Sequence, residues 1–110
     1  MVSAVVRRGD VFLVALNPTR GREMRKTRPC VVVSPDELNA HLHTCIVAPL
    51  TSASKPYPFR VACRFDGKQG QVVLDQIRTV DRERMVRRLG RVSPNVERRV
   101  LATLQELFAN

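Results

Sequence analysis

Seven residues near the middle of the chain, Phe59-Arg60-Val61-Ala62-Cys63-Arg64-Phe65, alternate strictly between core-facing and outward-facing types. Phe59, Val61, Cys63 and Phe65 fall on one face, with Arg60 and Arg64 on the other. That is the period of a half-buried β-strand and not of a helix. Asp66-Gly67-Lys68-Gln69-Gly70 then reads as a turn that returns the chain into a further strand over residues 71–80. Shorter apolar runs predict three earlier strands, at residues 10–16, 29–34 and 44–50, the first stopped by Asn17-Pro18 and the last followed by a polar loop over residues 51–58. Ser34-Pro35-Asp36-Glu37 carries the serine, proline and glutamate of a helix start, so a short helical turn is expected before His41. Asp81 is expected to cap a second short helix running through Arg88 and stopped by Gly90. Ser93-Pro94 opens the last helix, in which Val96, Val100, Leu101, Leu104, Leu107 and Phe108 make one apolar stripe. The fold class that results is mainly β (α+β): a small, mostly antiparallel, barrel-like sheet with a C-terminal helix packed on it.

The chain has 110 residues, the size of one domain spanning residues 1–110. A chain of this length buries roughly two-thirds of its unfolded surface and needs neither disulfides nor metals to fold. Its net charge is +9, carried by sixteen arginines and only three lysines. Arginine presents a planar fork that matches phosphate bidentately, whereas lysine is a point charge. Nucleic acid is therefore the leading partner class. Cys30, Cys45 and Cys63 are odd in number, lie in apolar runs and form no Cys-x-x-Cys pair, which predicts buried free thiols in a reducing cytoplasm. No stretch of about eighteen apolar residues is present, and the short apolar start is not a signal peptide, so the expected location is cytoplasmic with no membrane contact.

Residues 20–28 and 78–91 hold eleven of the nineteen basic side chains. The two segments are candidates for the walls of one groove, the alternative being a solvated charged surface. For Arg84, Arg87, Arg88 and Arg91 the expected setting is the wet face of the second helix. The first segment, which runs from Arg20 into Pro29 and the apolar strand beyond, is the better functional candidate, because loops on a rigid scaffold are where function concentrates. Arg28 stands at its foot. His41, His43 and Cys45 lie close in sequence, yet no second ligand pair accompanies them, and no metal site is expected. Phosphate-binding Gly-rich loops, nucleophile elbows and clustered carboxylates are missing too. A metal-free basic site with hydroxyl donors still suffices for RNA. Its 2′-hydroxyl is a built-in nucleophile beside the scissile phosphate, so cleavage needs alignment, proton transfer and charge stabilisation.

Five blocks in order carry a resemblance: Arg8-Gly9-Asp10-Val11-Phe12; Asn17-Pro18-Thr19-Arg20-Gly21-Arg22-Glu23; Arg28-Pro29-Cys30-Val31-Val32-Val33-Ser34-Pro35; Val47-Ala48-Pro49-Leu50-Thr51-Ser52; and Leu74-Asp75-Gln76-Ile77-Arg78-Thr79-Val80-Asp81. In this order and spacing the chain resembles the MazF/PemK toxin family. The resemblance implies an SH3-like, CcdB-like barrel and a sequence-specific, metal-independent endoribonuclease without a cofactor, usually a homodimer, acting on single-stranded RNA and neutralised by a MazE-like antitoxin. It also implies catalytic roles for Arg28 and Thr51, with Arg28 acting as the general acid or stabilising the developing phosphorane charge, the second favoured because arginine is a poor proton donor, and Thr51 donating to a non-bridging oxygen. Glu23 matches an acidic position that either orients Arg28 or accepts the 2′-hydroxyl proton; a loop salt bridge is the alternative. Gln76 and Arg78 match positions near bound RNA. Arg20, Arg22, Arg25 and Lys26 are expected to hold the phosphate backbone, and Ser52, Lys55 and Tyr57 to contact RNA from the 51–58 loop, Tyr57 by stacking on a base or else by packing between prolines. Two other readings stand beside this one. A CcdB-like toxin of the same fold would poison a topoisomerase, but such proteins resemble one another at a Trp-Gly-Ile carboxyl end, and this chain ends Leu107-Phe108-Ala109-Asn110 without a tryptophan. A non-catalytic RNA-binding module would have no need for the pairing of Arg28 with Thr51.

Overall fold

The structure is a computed structural model that describes residues 5–16 and 27–110. Its elements run β1 (Asp10–Ala15), β2 (Thr27–Val32), α1 (Asp36–His41), β3 (Thr44–Thr51), β4 (Arg60–Phe65), β5 (Lys68–Val73), β6 (Arg78–Asp81), β7 (Met85–Arg91) and α2 (Pro94–Leu107). The seven strands form one antiparallel sheet in the order β4-β5-β3-β2-β1-β7, with β6 pairing beside β5 along β3. β3 organises this arrangement. Its first half, Thr44 to Val47, pairs with β6, and its end, Leu50 and Thr51, pairs with β5.

The three central strands are buried on both sides, which is why their sequences read as continuous apolar runs and not as alternation. Val11, Val31 and Ala48 belong to a core that α2 covers through Val96 and Val100. Their neighbours Phe12, Cys30, Val32 and Val47 point the other way, into a second core closed by Val6, Val80 and Met85. The curl brings the two ends of the sheet together, since a Cβ on Gly90 of β7 would sit 3.3 Å from the ring of Phe65 on β4. The Arg99 guanidinium ties α2 down by donating to the carbonyl of Ala62 on β4. Asp10, only 2 % exposed, locks β1 to β7 by accepting from the Arg7 backbone N–H at 2.9 Å, Arg88 at 3.2 Å and Arg91 at 2.8 Å. A buried carboxylate is tolerated here because both its oxygens are occupied by donors.

Several expectations change. Residues 81–88 do not form a helix. Asp81 does cap, its carboxylate accepting from the Glu83 backbone N–H, but the result is one 3₁₀ turn (Arg82–Arg84) leading into β7. Arg84, Arg87, Arg88 and Arg91 are therefore not the wet face of a helix: Arg84 ends the turn, and the other three lie on β7. Two register shifts between β1 and β7 explain why this strand was unreadable, because each bulge breaks the two-residue period. The single strand over 71–80 is in fact two, β5 and β6, divided by a 3₁₀ turn at Leu74–Gln76. The turn before it is shorter than expected: Phe65 pairs with Lys68, and only Asp66 (φ 53°) and Gly67 (φ 75°) lie between, the signature of a type I′ hairpin. Ser34 does not cap α1. Its hydroxyl donates to the Asn39 side chain at 2.6 Å and accepts from the Ile46 N–H at 3.0 Å, pinning α1 to β3. Phe108, placed by periodicity in the apolar stripe, is 73 % exposed.

Candidate active site

The ladder between β2 and β3 pairs Val32 with Val47, Val31 with Ala48 and Cys30 with Pro49, and there it stops. Pro29 and Pro49 lie at this end, and neither has an N–H to continue the pairing. Carried two residues further, the same register sets Arg28 across from Thr51. The ladder goes no further, and a cavity of about 500 Å³ lies here, lined by Arg28, Thr51 and Ser52 together with residues of the β4–β5 hairpin. The candidate catalytic pair thus stands at the frayed end of a ladder whose paired part is buried and rigid.

The local bonding suits each side chain to a task. Arg28 is exposed, while its backbone is held by pairing with Val14 of β1. The Thr51 hydroxyl accepts the Ala53 N–H at 3.1 Å, which occupies an oxygen lone pair and leaves its O–H free to donate into the cavity. The Cys30 S–H lies beneath this wall and donates to the Arg28 carbonyl at 3.6 Å. Burial pushes the Cys30 thiol up to about 12 despite the opposing charges of Arg78 and Arg28. It stays protonated near neutrality and cannot serve as a nucleophile. Burial also raises Cys45 and Cys63, against Arg82 and Arg99 respectively. All three cysteines are buried free thiols, as expected.

A stability prediction follows with a definite sign. Above pH 9, the ordinary value of the Cys30 thiol, the unfolded chain loses a proton that the folded chain keeps. Stability from this group is whole below pH 9 and drains away as pH rises toward 12, by at most about 1.4 kcal/mol per pH unit. Denaturant unfolding between pH 7 and pH 10.5 should show this decline, and Cys30→Ala should flatten part of it.

The remaining expected site residues divide. Ser52 lines the cavity, whereas Lys55, Tyr57, Gln76 and Arg78 do not. Lys55 is held through its backbone: the buried Gln71 amide accepts from its N–H at 3.2 Å and donates to its carbonyl at 2.8 Å. Tyr57 is exposed, with the Arg60 guanidinium 4.8 Å from its ring centroid, so one ring face is already covered. Arg60 also pairs with Asp75 at 3.2 Å, and that hydrogen bond holds the Asp75 carboxyl below its ordinary value. Gln76 ends the 3₁₀ turn and Arg78 opens β6 opposite Val47; both are exposed. Arg20, Arg22, Glu23, Arg25 and Lys26 lie outside the described residues. None of the arginines between 78 and 91 lines the cavity, and Arg88 and Arg91 turn instead to Asp10. Among the described residues no group of three or more His, Cys, Asp or Glu side chains is placed to hold a metal, and no helix is long and apolar enough to cross a membrane.

Sequence reasoning passed over two residues that build the site. Gly70 stands so close to the Thr51 backbone that a Cβ there would lie 2.2 Å from the Thr51 carbonyl oxygen. Gln71, next in the chain, braces the 51–58 loop through Lys55. The available signal was a glutamine at the head of an apolar strand.

Comparison with known proteins matches the chain to a family. The model of the PemK-like, MazF-like toxin of type II toxin-antitoxin systems matches residues 7–108. The chain is 33 % identical over 101 residues to the endoribonuclease toxin MazF of Escherichia coli (strain K12), covering 91 % of each chain. It is 39 % identical over 99 residues to endoribonuclease MazF9 of Mycobacterium tuberculosis, covering 81 % of this chain and 84 % of that one. Among solved structures, a MazE–MazF complex from Deinococcus radiodurans superposes with a TM-score of 0.81 at 30 % identity, covering 96 % of both chains. The fold and these likenesses converge: the chain belongs to the PemK-like, MazF-like toxins of type II toxin-antitoxin systems.

Proposed function

We propose that this chain exercises the endoribonuclease activity of its family on single-stranded RNA through Arg28 and Thr51. The observation that supports this reading is that Arg28 and Thr51 both line one cavity at the end of the β2–β3 ladder. A phosphodiester seated there presents its non-bridging oxygens to the Thr51 hydroxyl and the Arg28 guanidinium. The 2′-oxygen attacks phosphorus, the 2′-O–P bond forms and the P–O5′ bond breaks. A 2′,3′-cyclic phosphate and a 5′-hydroxyl result. Arg28 and Thr51 act by stabilising charge that grows on the phosphoryl oxygens in the transition state, which is the largest contribution in many such sites. Arginine is a poor proton donor, so the departing 5′-oxygen takes its proton from solvent. Glu23 either receives the 2′-hydroxyl proton or orients Arg28. Arg20, Arg22, Arg25 and Lys26 hold the RNA backbone, and such phosphate contacts position the strand without reading its sequence; Ser52, Lys55, Tyr57, Gln76 and Arg78 are further RNA contacts.

The protein works in the cytoplasm as a homodimer silenced by a MazE-like antitoxin. The D. radiodurans complex of MazE with MazF supports a partner of that kind. A net charge of +9 favours an acidic, partly disordered antitoxin segment laid over the cationic groove. The test is incubation of purified protein with a long single-stranded RNA, with and without EDTA, followed by end mapping. Cleavage should survive EDTA and leave 5′-hydroxyl ends. Cutting that requires a divalent metal sinks the mechanism, and growth arrest with intact RNA and trapped DNA breaks would point to topoisomerase poisoning instead.

A further inference from the structure

The β4–β5 hairpin also lines the cavity that Arg28 and Thr51 line. It contributes Phe65, Asp66, Lys68 and Gln69, and Leu50 and Leu89 line the same cavity. Asp66 is the one acidic side chain among the described residues lining the cavity, in a chain of net charge +9. A carboxylate in a groove for a polyanion repels phosphate wherever it meets it. Its place makes sense if that side of the cavity receives a base. The setting is firm: six residue pairs, from Arg60–Val73 to Phe65–Lys68, run up to the two-residue turn that holds Asp66. No ion pair among the described residues occupies its oxygens.

We propose that this hairpin is a base-reading pocket, in which Asp66 accepts hydrogen bonds from the Watson–Crick edge of a guanine next to the scissile phosphate. The inference rests on the endoribonuclease reading of Arg28 and Thr51. Guanine alone offers two adjacent donors, N1–H and the 2-amino group, to the two oxygens of a carboxylate. Adenine and cytosine offer one amino group beside a ring nitrogen whose lone pair repels the second oxygen. Uracil offers one N–H flanked by two carbonyls. Lys68, two residues along, is suited to donate to the guanine O6 beside N1, and Phe65 with Leu50 and Leu89 supplies the apolar surface against which an unstacked base lies. The expected order of preference is guanine first, then cytosine and adenine, with uracil last.

Asp66→Asn tests this without disturbing the fold, because Asn-Gly is at least as good a type I′ turn as Asp-Gly. The probes are single-stranded 2′-deoxy oligonucleotides, which cannot be cleaved by this route, carrying guanine or inosine at matched positions; inosine lacks only the 2-amino group. The wild-type protein should bind the guanine oligonucleotide about tenfold more tightly than the inosine one, the discrimination typical of one bidentate base contact, and Asp66→Asn should erase the ratio. The ratio is the readout because removing a negative charge raises affinity for any polyanion. In parallel, end mapping on a long RNA should show guanine enriched at one fixed position relative to the cut, with that enrichment lost in Asp66→Asn. Equal binding of the two oligonucleotides by the wild type, or a ratio that survives the substitution, overturns the pocket. A protein that cuts RNA through Arg28 without preferring guanine overturns the pocket alone; one that prefers guanine in binding yet cuts nothing overturns the nuclease reading and keeps the pocket.

Discussion

Replacing Arg28 by alanine should lower the rate of RNA cleavage by about 10²–10³-fold, the usual loss on removing one preorganised charge-stabilising donor. The side chain is exposed and its backbone stays in β2, so thermal stability should hardly move. Arg28→Lys is the informative companion. Lysine keeps the charge but not the planar fork, and partial rescue would assign the effect to electrostatics, whereas none would assign it to bidentate geometry. Single-turnover rates on a defined oligoribonucleotide separate either outcome from weakened binding. Unchanged activity in Arg28→Ala would remove the proposed mechanism altogether.

The second large effect is expected from a residue with no side chain. In Gly70→Ala the new methyl group would meet the Thr51 carbonyl oxygen at 2.2 Å, and because that atom is backbone, one strand has to shift. Overpacking of this kind costs about 1–3 kcal/mol. A displacement of Thr51 by a fraction of an ångström to an ångström can cost as much as 10²-fold in rate. Gly67→Ala, three residues away in the same hairpin, is the control. Its positive φ of 75° makes alanine strained, but nothing lies within 4 Å of the added atom. That variant should lose stability and keep its turnover. Melting temperature and kcat measured on both variants check the separation, and equal loss of activity in both would show that hairpin stability, not the position of Thr51, is what matters.

The legible part of the fold was the part where one rule acted alone. β4 could be read because its outer face meets water, and α2 because Ser93 caps it, accepting from the Val96 N–H at 3.2 Å, with Pro94 behind. β7 could not, since two bulges against β1 erase its period and its arginines suit a helix surface equally well. The break between β5 and β6 is invisible locally: Leu74, in the 3₁₀ turn, is as buried as a strand residue, so hydropathy does not drop where the strand ends. At the site, Arg28 stands out at the foot of the basic segment and Thr51 only through the resemblance, and the β2–β3 register carried two residues further sets the two across from each other. Asp66, Gly70 and Gln71 escaped because their roles depend on which strand lies next to them, a fact that long-range pairing alone decides.

Gly70 and Gln71 together limit how the length of this chain can vary among relatives. One presses on Thr51 and the next clamps Lys55, and side chains alternate along β5 with a period of two. One residue inserted between these positions and the Val72 pairing would turn Gln71 away from the loop and drive a side chain against Thr51. At the tip, by contrast, open space surrounds Gly67, and added residues would extend into solvent. Length can therefore change at the far end of the hairpin, over the cavity mouth, while the end beside Thr51 is fixed residue for residue. New substrate preferences in proteins built this way should arise by lengthening or recolouring that tip, leaving Arg28 and Thr51 where they stand.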